Sequence, residues 1–115
     1  MAVAMLLHWD GVVPGQYDAL MERLELDSNP AAGEVLHLAT FTDEGLQLYE
    51  VWRTEDAFHG FLEHRLLPVA RELGFGPGPD YELVPLHNMY VADPATIDRI
   101  GMMSVPAAVA SWVAR

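Results

Sequence analysis

The sequence predicts an α+β domain of the ferredoxin-like plan, a four-stranded antiparallel sheet with two helices in the order βαββαβ. Three observations carry that expectation. Strand-length apolar runs stand at 2–9, 34–41, 46–53 and 81–91. Two stripes at helical spacing lie between them, and turn or capping residues stand at the breaks.

The first run, Ala2 to Trp9, ends at Asp10-Gly11 and is too short for a helix, so it reads as a buried strand. From Pro14 to Leu26 the residues Tyr17, Leu20, Met21 and Leu24 recur at i, i+3, i+4 and i+7, the spacing of one helical face, with proline in the first turn. Asp27-Ser28-Asn29-Pro30 stops that helix, and a loop runs to Gly33. The second and third runs are separated by Thr42-Asp43-Glu44-Gly45, which has hairpin chemistry. Thr54 then stands where an N-cap belongs, ahead of Glu55 and Asp56, whose charges suit a helix N-terminus. The second stripe is Phe58, Phe61, Leu62, Leu66, Val69, Ala70 and Leu73, with Pro68 predicted to kink it and Gly74 to end it. Tyr81 to Val91 reads as the last strand, and Pro85 implies an edge or a bulge there. The domain is expected to fill 1–92; residues 93–115 read as a helical extension, packing through Trp112 on its own subunit or on a partner.

At 115 residues, 51% of them apolar, the chain is sized for one domain with a real core. Neither a membrane-length apolar run nor a secretory leader pattern is seen, so a cytoplasmic protein with no membrane association is expected. Cysteine is absent, which removes thiol nucleophiles and zinc-thiolate sites, and lysine is absent, which removes Schiff-base chemistry. The net charge of −11 repels phosphate backbones, so no nucleic-acid partner is expected and a small lipophilic ligand is favoured. No G-x-S-x-G, G-x-G-x-x-G after a strand, or phosphate loop is present. No cofactor is expected.

A single sheet covered by helices on one face leaves the other bare, and large apolar groups on it predict a homodimer that joins two sheets into an α+β barrel. With a two- or four-residue hairpin loop, His37, Ala39 and Phe41 share one face with Leu48, Glu50 and Trp52, while Leu36, Leu38 and Thr40 share the other with Gln47, Tyr49 and Val51. The first set holds the ionisable groups and is assigned to a pocket on the bare face, the second to the helix side. His37 and Glu50 would then be a hydrogen-bonded general base, or alternatively a satisfied interface pair without catalytic duty. Trp52, Phe41 and Leu48 would hold a flat ligand. His87, Asn88 and Tyr90 place polar tips on the last strand, as His8 does on the first; His87 is a further catalytic candidate and His8, Asn88 and Tyr90 are binding candidates. His8, His37, His87 and Glu50 could together ligate a metal only if every facing choice agreed, so buried, hydrogen-bonded histidines are expected and no metal.

Leu48-Tyr49-Glu50-Val51-Trp52-Arg53 running into Glu55-Asp56-Ala57-Phe58 and Phe61, with His87-Asn88 near the end, resembles the small antibiotic-biosynthesis-monooxygenase-like proteins of the dimeric α+β barrel superfamily. The resemblance spans roughly residues 2 to 92. It implies a cofactor-independent enzyme, a monooxygenase or a related isomerase or cyclase, acting on a lipophilic, aromatic or polyketide-like metabolite. A non-catalytic binding protein and a haem- or metal-binding member of the same fold are the alternatives. Trp52 matches the pocket tryptophan of the quinone-forming members, but Leu48 stands where they carry an asparagine. The expectation that survives this difference is a His37–Glu50 base beside a flat apolar ligand.

Overall fold

The computed structural model of the chain describes residues 1–95. The elements are β1 (Val3–Asp10), α1 (Pro14–Leu24), β2 (Glu34–Thr42), β3 (Gly45–Trp52), α2 (Glu55–Phe61), a π-helical turn (Leu62–Leu66), α3 (Leu67–Glu72) and β4 (Asp80–Pro85). The strands form one antiparallel sheet in the order β2-β3-β1-β4. This is the βαββαβ plan that the alternation of patterns predicts.

Side-chain alternation decides what the sheet buries. Val3, Met5, Leu7 and Trp9 of β1 and Leu46, Leu48 and Trp52 of β3 form the core together with Tyr17, Leu20, Met21 and Leu24 of α1 and Phe58, Phe61 and Leu62 beyond β3. Trp9 and Trp52 are almost fully enclosed; truncating such a side chain costs about 3–5 kcal/mol. Trp9 also donates its indole N–H to the Pro77 carbonyl at 3.0 Å, which anchors the Gly-Pro loop before β4. On the opposite face Leu6, Leu38, Tyr49 and Val84 are exposed, an apolar surface with no helix over it among the described residues.

Thr54 caps α2 as its position predicts, its hydroxyl accepting the Ala57 N–H at 3.0 Å. The second helix is not α-helical throughout, however. Pro68 has no N–H to return to the His64 carbonyl, and its ring crowds that turn. The backbone widens by one residue just ahead of it, and Leu67 N–H reaches back to the Leu62 carbonyl. The apolar stripe thus stays on one face without a break.

The last strand is shorter than the run 81–91 that the sequence predicts. Val3 pairs with Pro85, the final rung of the ladder. Leu86 N–H still bonds the Ala2 carbonyl at 2.9 Å, after which the chain leaves the sheet. The helical extension expected over 93–115 lies, from residue 96 on, outside the described residues.

The β2–β3 hairpin closes through Asp43-Glu44, with Thr42 opposite Gly45. Gly45 has φ +139, and a Cβ there would sit 2.4 Å from the Trp9 carbonyl oxygen and 2.8 Å from the Gly11 nitrogen. Both obstacles are backbone, so they yield only by moving β1. Gly45→Ala is expected to lower stability by about 2 kcal/mol or more, read as a lower urea midpoint; an unchanged midpoint would show that the hairpin tolerates the shift.

Candidate functional site

His37 and Glu50 stand directly opposite each other on β2 and β3. They share a face with Ala39, Phe41, Leu48 and Trp52, as the parity argument predicts, but that face is the one beneath the helices. The assignment of this set to the bare face is therefore corrected. The reason is physical: an imidazole and a carboxylate that satisfy each other can be buried, and the aromatic and aliphatic neighbours on the same face gain more from the core than from an open surface.

His37 Nδ1 lies 2.5 Å from Glu50 Oε2, and Trp52 donates its indole N–H to Glu50 Oε1 at 2.8 Å. On the other side of the ring, His37 Nε2 lies 2.6 Å from the Tyr17 hydroxyl, which α1 delivers from the layer above. Tyr17 stacks near-parallel on the imidazole and meets Phe41 edge-on. Glu34 Oε2 lies 3.6 Å from His37 Nδ1. A continuous chain of polar contacts thus runs from Tyr17 through His37 to Glu50, with the Glu50 side chain only 4% exposed.

The Tyr17 end of this chain opens on a cavity of about 880 Å³ between α1 and β2. Its wall is formed by Tyr17, Met21, Leu26, Ala39 and Phe41, with His37 at the floor; Asp18, Glu22, Glu25 and Asp27 rim the mouth. Arg65, on the π-helical turn, holds part of that rim in place by donating to the carbonyls of Leu24, Asn29 and Pro30 at 3.0, 2.9 and 3.4 Å. A cavity that is apolar in its depth, with a few convergent polar groups, is the usual form of a small-molecule site.

The electrostatics follow from burial and charge. Burial works against the His37 imidazolium, but the adjoining Glu34 and Glu50 carboxylates outweigh it and push its pKa up to about 11. For Glu34, burial raises the pKa to about 7, with the Glu50 carboxylate adding to the rise and His37 opposing it. Burial also raises the Tyr17 hydroxyl. With the imidazole protonated, Nε2–H donates to Tyr17, whose own hydrogen turns to the cavity. With Nε2 bare, Tyr17 donates to it and accepts from the cavity. One geometry serves as acid or base.

Several sequence candidates lie elsewhere. His8 is on the opposite face, bonded to Gln47 at 2.7 Å. His87, Asn88 and Tyr90 follow the end of β4 and are exposed; with β4 stopping at Pro85, they do not reach the site. Trp52 and Leu48 are buried in the core instead of lining the cavity, so Trp52 positions Glu50 and is no ligand platform. Of the expected binding residues, Phe41 alone is on the cavity wall. Two members escape sequence reading. Tyr17 looks like one more core residue of an amphipathic stripe, its hydroxyl the sole hint, and Glu34 has the wrong parity to join His37. Among the described residues Glu34, His37 and Glu50 bring three potential ligand atoms within 4.8 Å of one another. The 2.5 Å contact within that trio is a hydrogen bond; ligand atoms around zinc stand roughly 3.3 Å apart.

Comparison with solved structures finds this fold, a ferredoxin-like sheet with helices on one face, in several other proteins. The chain is similar to SnoaB from Streptomyces nogalater, a cofactor-independent oxygenase, with TM-score 0.55 and 18% identity over 76% of this chain and 94% of that one. It is similar to NE2512 from Nitrosomonas europaea, a protein of unknown function, with TM-score 0.59 and 18% identity over 78% and 93%. Rv0793 from Mycobacterium tuberculosis gives TM-score 0.52 and 16% identity over 79% and 100%. No family model matches the sequence, and no curated protein matches it. Likeness at these identities is likeness of fold.

Both raised pKa values make stability fall as pH rises. Glu34 binds more proton in the folded than in the unfolded state between pH 4.5 and about 7, and His37 does so between 6.5 and about 11. Their stabilisation is complete below those windows and lost above them. Thermal unfolding across pH 5 to 10 is expected to show a falling midpoint, and His37→Gln a flatter profile above pH 6.5; a wild-type midpoint that climbs with pH would contradict the assignment.

Proposed function

We propose that the chain is a cofactor-independent enzyme that holds a small, flat, largely apolar ring compound in the α1–β2 cavity and moves a proton between it and the His37–Glu50 pair through Tyr17. The observation that carries this reading is the hydrogen-bond chain from the cavity wall to a buried carboxylate, 2.6 Å at Tyr17–His37 and 2.5 Å at His37–Glu50. Its elements match what general acid–base catalysis needs: a group in reach of the ligand, an imidazole relay, and a carboxylate that orients the ring. The imidazolium, favoured at neutrality by its raised pKa, holds a phenolate or enolate form of the ligand through Tyr17, and that electron-rich ring is the form that reacts with oxygen or rearranges. Similarity of fold to SnoaB supports the oxygenase branch; an isomerase or cyclase would use the same first step.

The test is oxygen uptake and product analysis with a panel of fused-ring phenols, naphthols and hydroxyanthrones. With an accepted compound, His37→Gln and Tyr17→Phe are each expected to lower kcat about 100-fold while the proteins stay folded. Tight binding with no chemical change to any panel member would point to a binding protein instead.

We also propose that the open face, with Leu6, Leu38 and Tyr49 exposed, pairs with a second copy. Light scattering on the purified chain is expected to give twice the chain mass, and Tyr49→Glu half of that. A wild-type monomer at micromolar concentration would refute the pairing.

A further inference from the structure

We infer that Arg65 is a positioning residue of the site: it pins the turn after α1 as a fixed wall at the cavity mouth, and so sets how tightly a ring compound is held there. This rests on reading the α1–β2 cavity as the ligand site and adds what keeps its mouth formed.

The first observation is what the turn contributes. Glu25, Leu26, Asp27 and Ser28 all line the cavity, and Leu26 is buried. The turn closes on one acceptor: the Glu25 carbonyl takes the Ser28 and Asn29 N–H groups at 3.2 and 2.8 Å and the Ser28 hydroxyl at 3.3 Å. Glu25 itself is left-handed, with φ 52, a conformation that is costly for a non-glycine residue and persists only where its surroundings enforce it. A surface turn of this kind opens readily unless something outside it holds both ends.

The second observation is that Arg65 holds both ends. Its Nη2 donates to the Leu24 carbonyl before the turn at 3.0 Å and to the Asn29 carbonyl after it at 2.9 Å, while Nη1 reaches the Pro30 carbonyl at 3.4 Å. Capping the end of α1 would need only the first of these. Among the described residues no other side chain from outside α1 and the turn hydrogen-bonds to residues 25–30. The guanidinium is seated from behind on Phe61, 5.4 Å from the ring centroid, and Phe61 packs in turn on Trp52.

The third observation is where the charge of Arg65 goes. The chain carries seventeen acids against six arginines, and Glu25 and Asp27 stand in the very turn that Arg65 grips, yet among the described residues Arg65 forms no ion pair. Its planar fork is turned to neutral carbonyls, a geometry that a lysine ammonium cannot reproduce. With the turn pinned before a ligand arrives, no ordering of that wall opposes binding; without the pin, each binding event must order it. Arg65 makes no hydrogen bond to Tyr17, His37 or Glu50, so its loss weakens binding and leaves the acid–base chain in place.

Amide hydrogen exchange in the ligand-free chain, followed by NMR, tests the pin by itself. In Arg65→Gln the Ser28 and Asn29 amides are expected to exchange about tenfold faster, while amides of the β1–β3 ladder keep their wild-type rates; a general loss of stability would speed both. Binding is read with naphthol through its own fluorescence. Its Kd is expected to rise about tenfold in Arg65→Gln and about threefold in Arg65→Lys, whose ammonium meets only part of the carbonyl set. Where a panel compound turns over, the loss should fall on KM and not on kcat. Arg65→Lys carries both comparisons if Arg65→Gln does not fold. Unchanged exchange at Ser28 and Asn29, or faster exchange with an unchanged naphthol Kd, would overturn the inference. A wild type that binds no ring compound removes the proposed function, and the exchange rates then decide alone whether Arg65 pins the turn.

Discussion

The hydrogen bond between His37 and Glu50 is the constraint on which the rest of this structure depends. A carboxylate 4% exposed is tolerated only with its charge matched and its oxygens occupied. His37 and Trp52 supply those partners, from β2 and from β3 itself. Trp52 is in turn wedged between Phe58 and Phe61, with ring centroids at 5.7 and 5.5 Å, so the orientation of Glu50 is coupled to the packing of α2 and the chain beyond it. Tyr17 closes the network from α1. The polar cluster thus ties together both helical segments and two strands, and displacing any of them would strand a charge in the core.

The same coupling explains why the cavity lies where it does. The α1–β2 margin lies away from α2, which packs on β3 and reaches β4 through Phe58. Tyr81 meets Phe58 at 5.1 Å on that covered side. What remains between α1 and the edge strand is bounded by the apolar side chains of Met21, Leu26, Ala39 and Phe41 with the polar tips of Tyr17 and His37 among them, and its mouth is set by the chain after α1. Arg65 fixes that chain through three carbonyls, and it can do so because the π-helical turn, itself a consequence of Pro68, places its guanidinium there. A proline far from the cavity in sequence therefore helps to shape its entrance.

Periodicity made the element order, the hairpin loop and the Thr54 cap legible, and it also identified His37, Ala39 and Phe41 as sharing a face with Leu48, Glu50 and Trp52. It could not say which face lies under the helices. Both faces of β2 and β3 carry large apolar groups, Leu38 and Tyr49 on one and Phe41 and Trp52 on the other, so hydrophobicity does not separate them. The rule that ionisable groups avoid the core fails here because His37 and Glu50 neutralise each other, and a strand pattern does not show pair formation. Glu34 was hidden for a different reason, since a bulge reverses the parity on which strand reading relies. Where β4 ends depended on its partner, since Pro85 pairs with Val3, the first residue of β1, and no strand remains beyond it to hold His87, Asn88 and Tyr90 in the sheet.

Alternation along β2 and β3 therefore serves two surfaces from one pair of strands. Odd positions of β2 from His37 onward and even positions of β3 build the buried face, and the residues between them, Leu36, Leu38, Gln47 and Tyr49, form the open face. Because neighbours in sequence point to opposite sides of a layer one residue thick, the two surfaces share a backbone without sharing side chains. A change in curvature of the sheet would move His37 against Tyr17, which sits on a separate layer, while leaving the His37–Glu50 pair intact, as those two are fixed by the ladder. The Tyr17–His37 contact is consequently the link most sensitive to whatever covers the open face, and the His37–Glu50 contact the least.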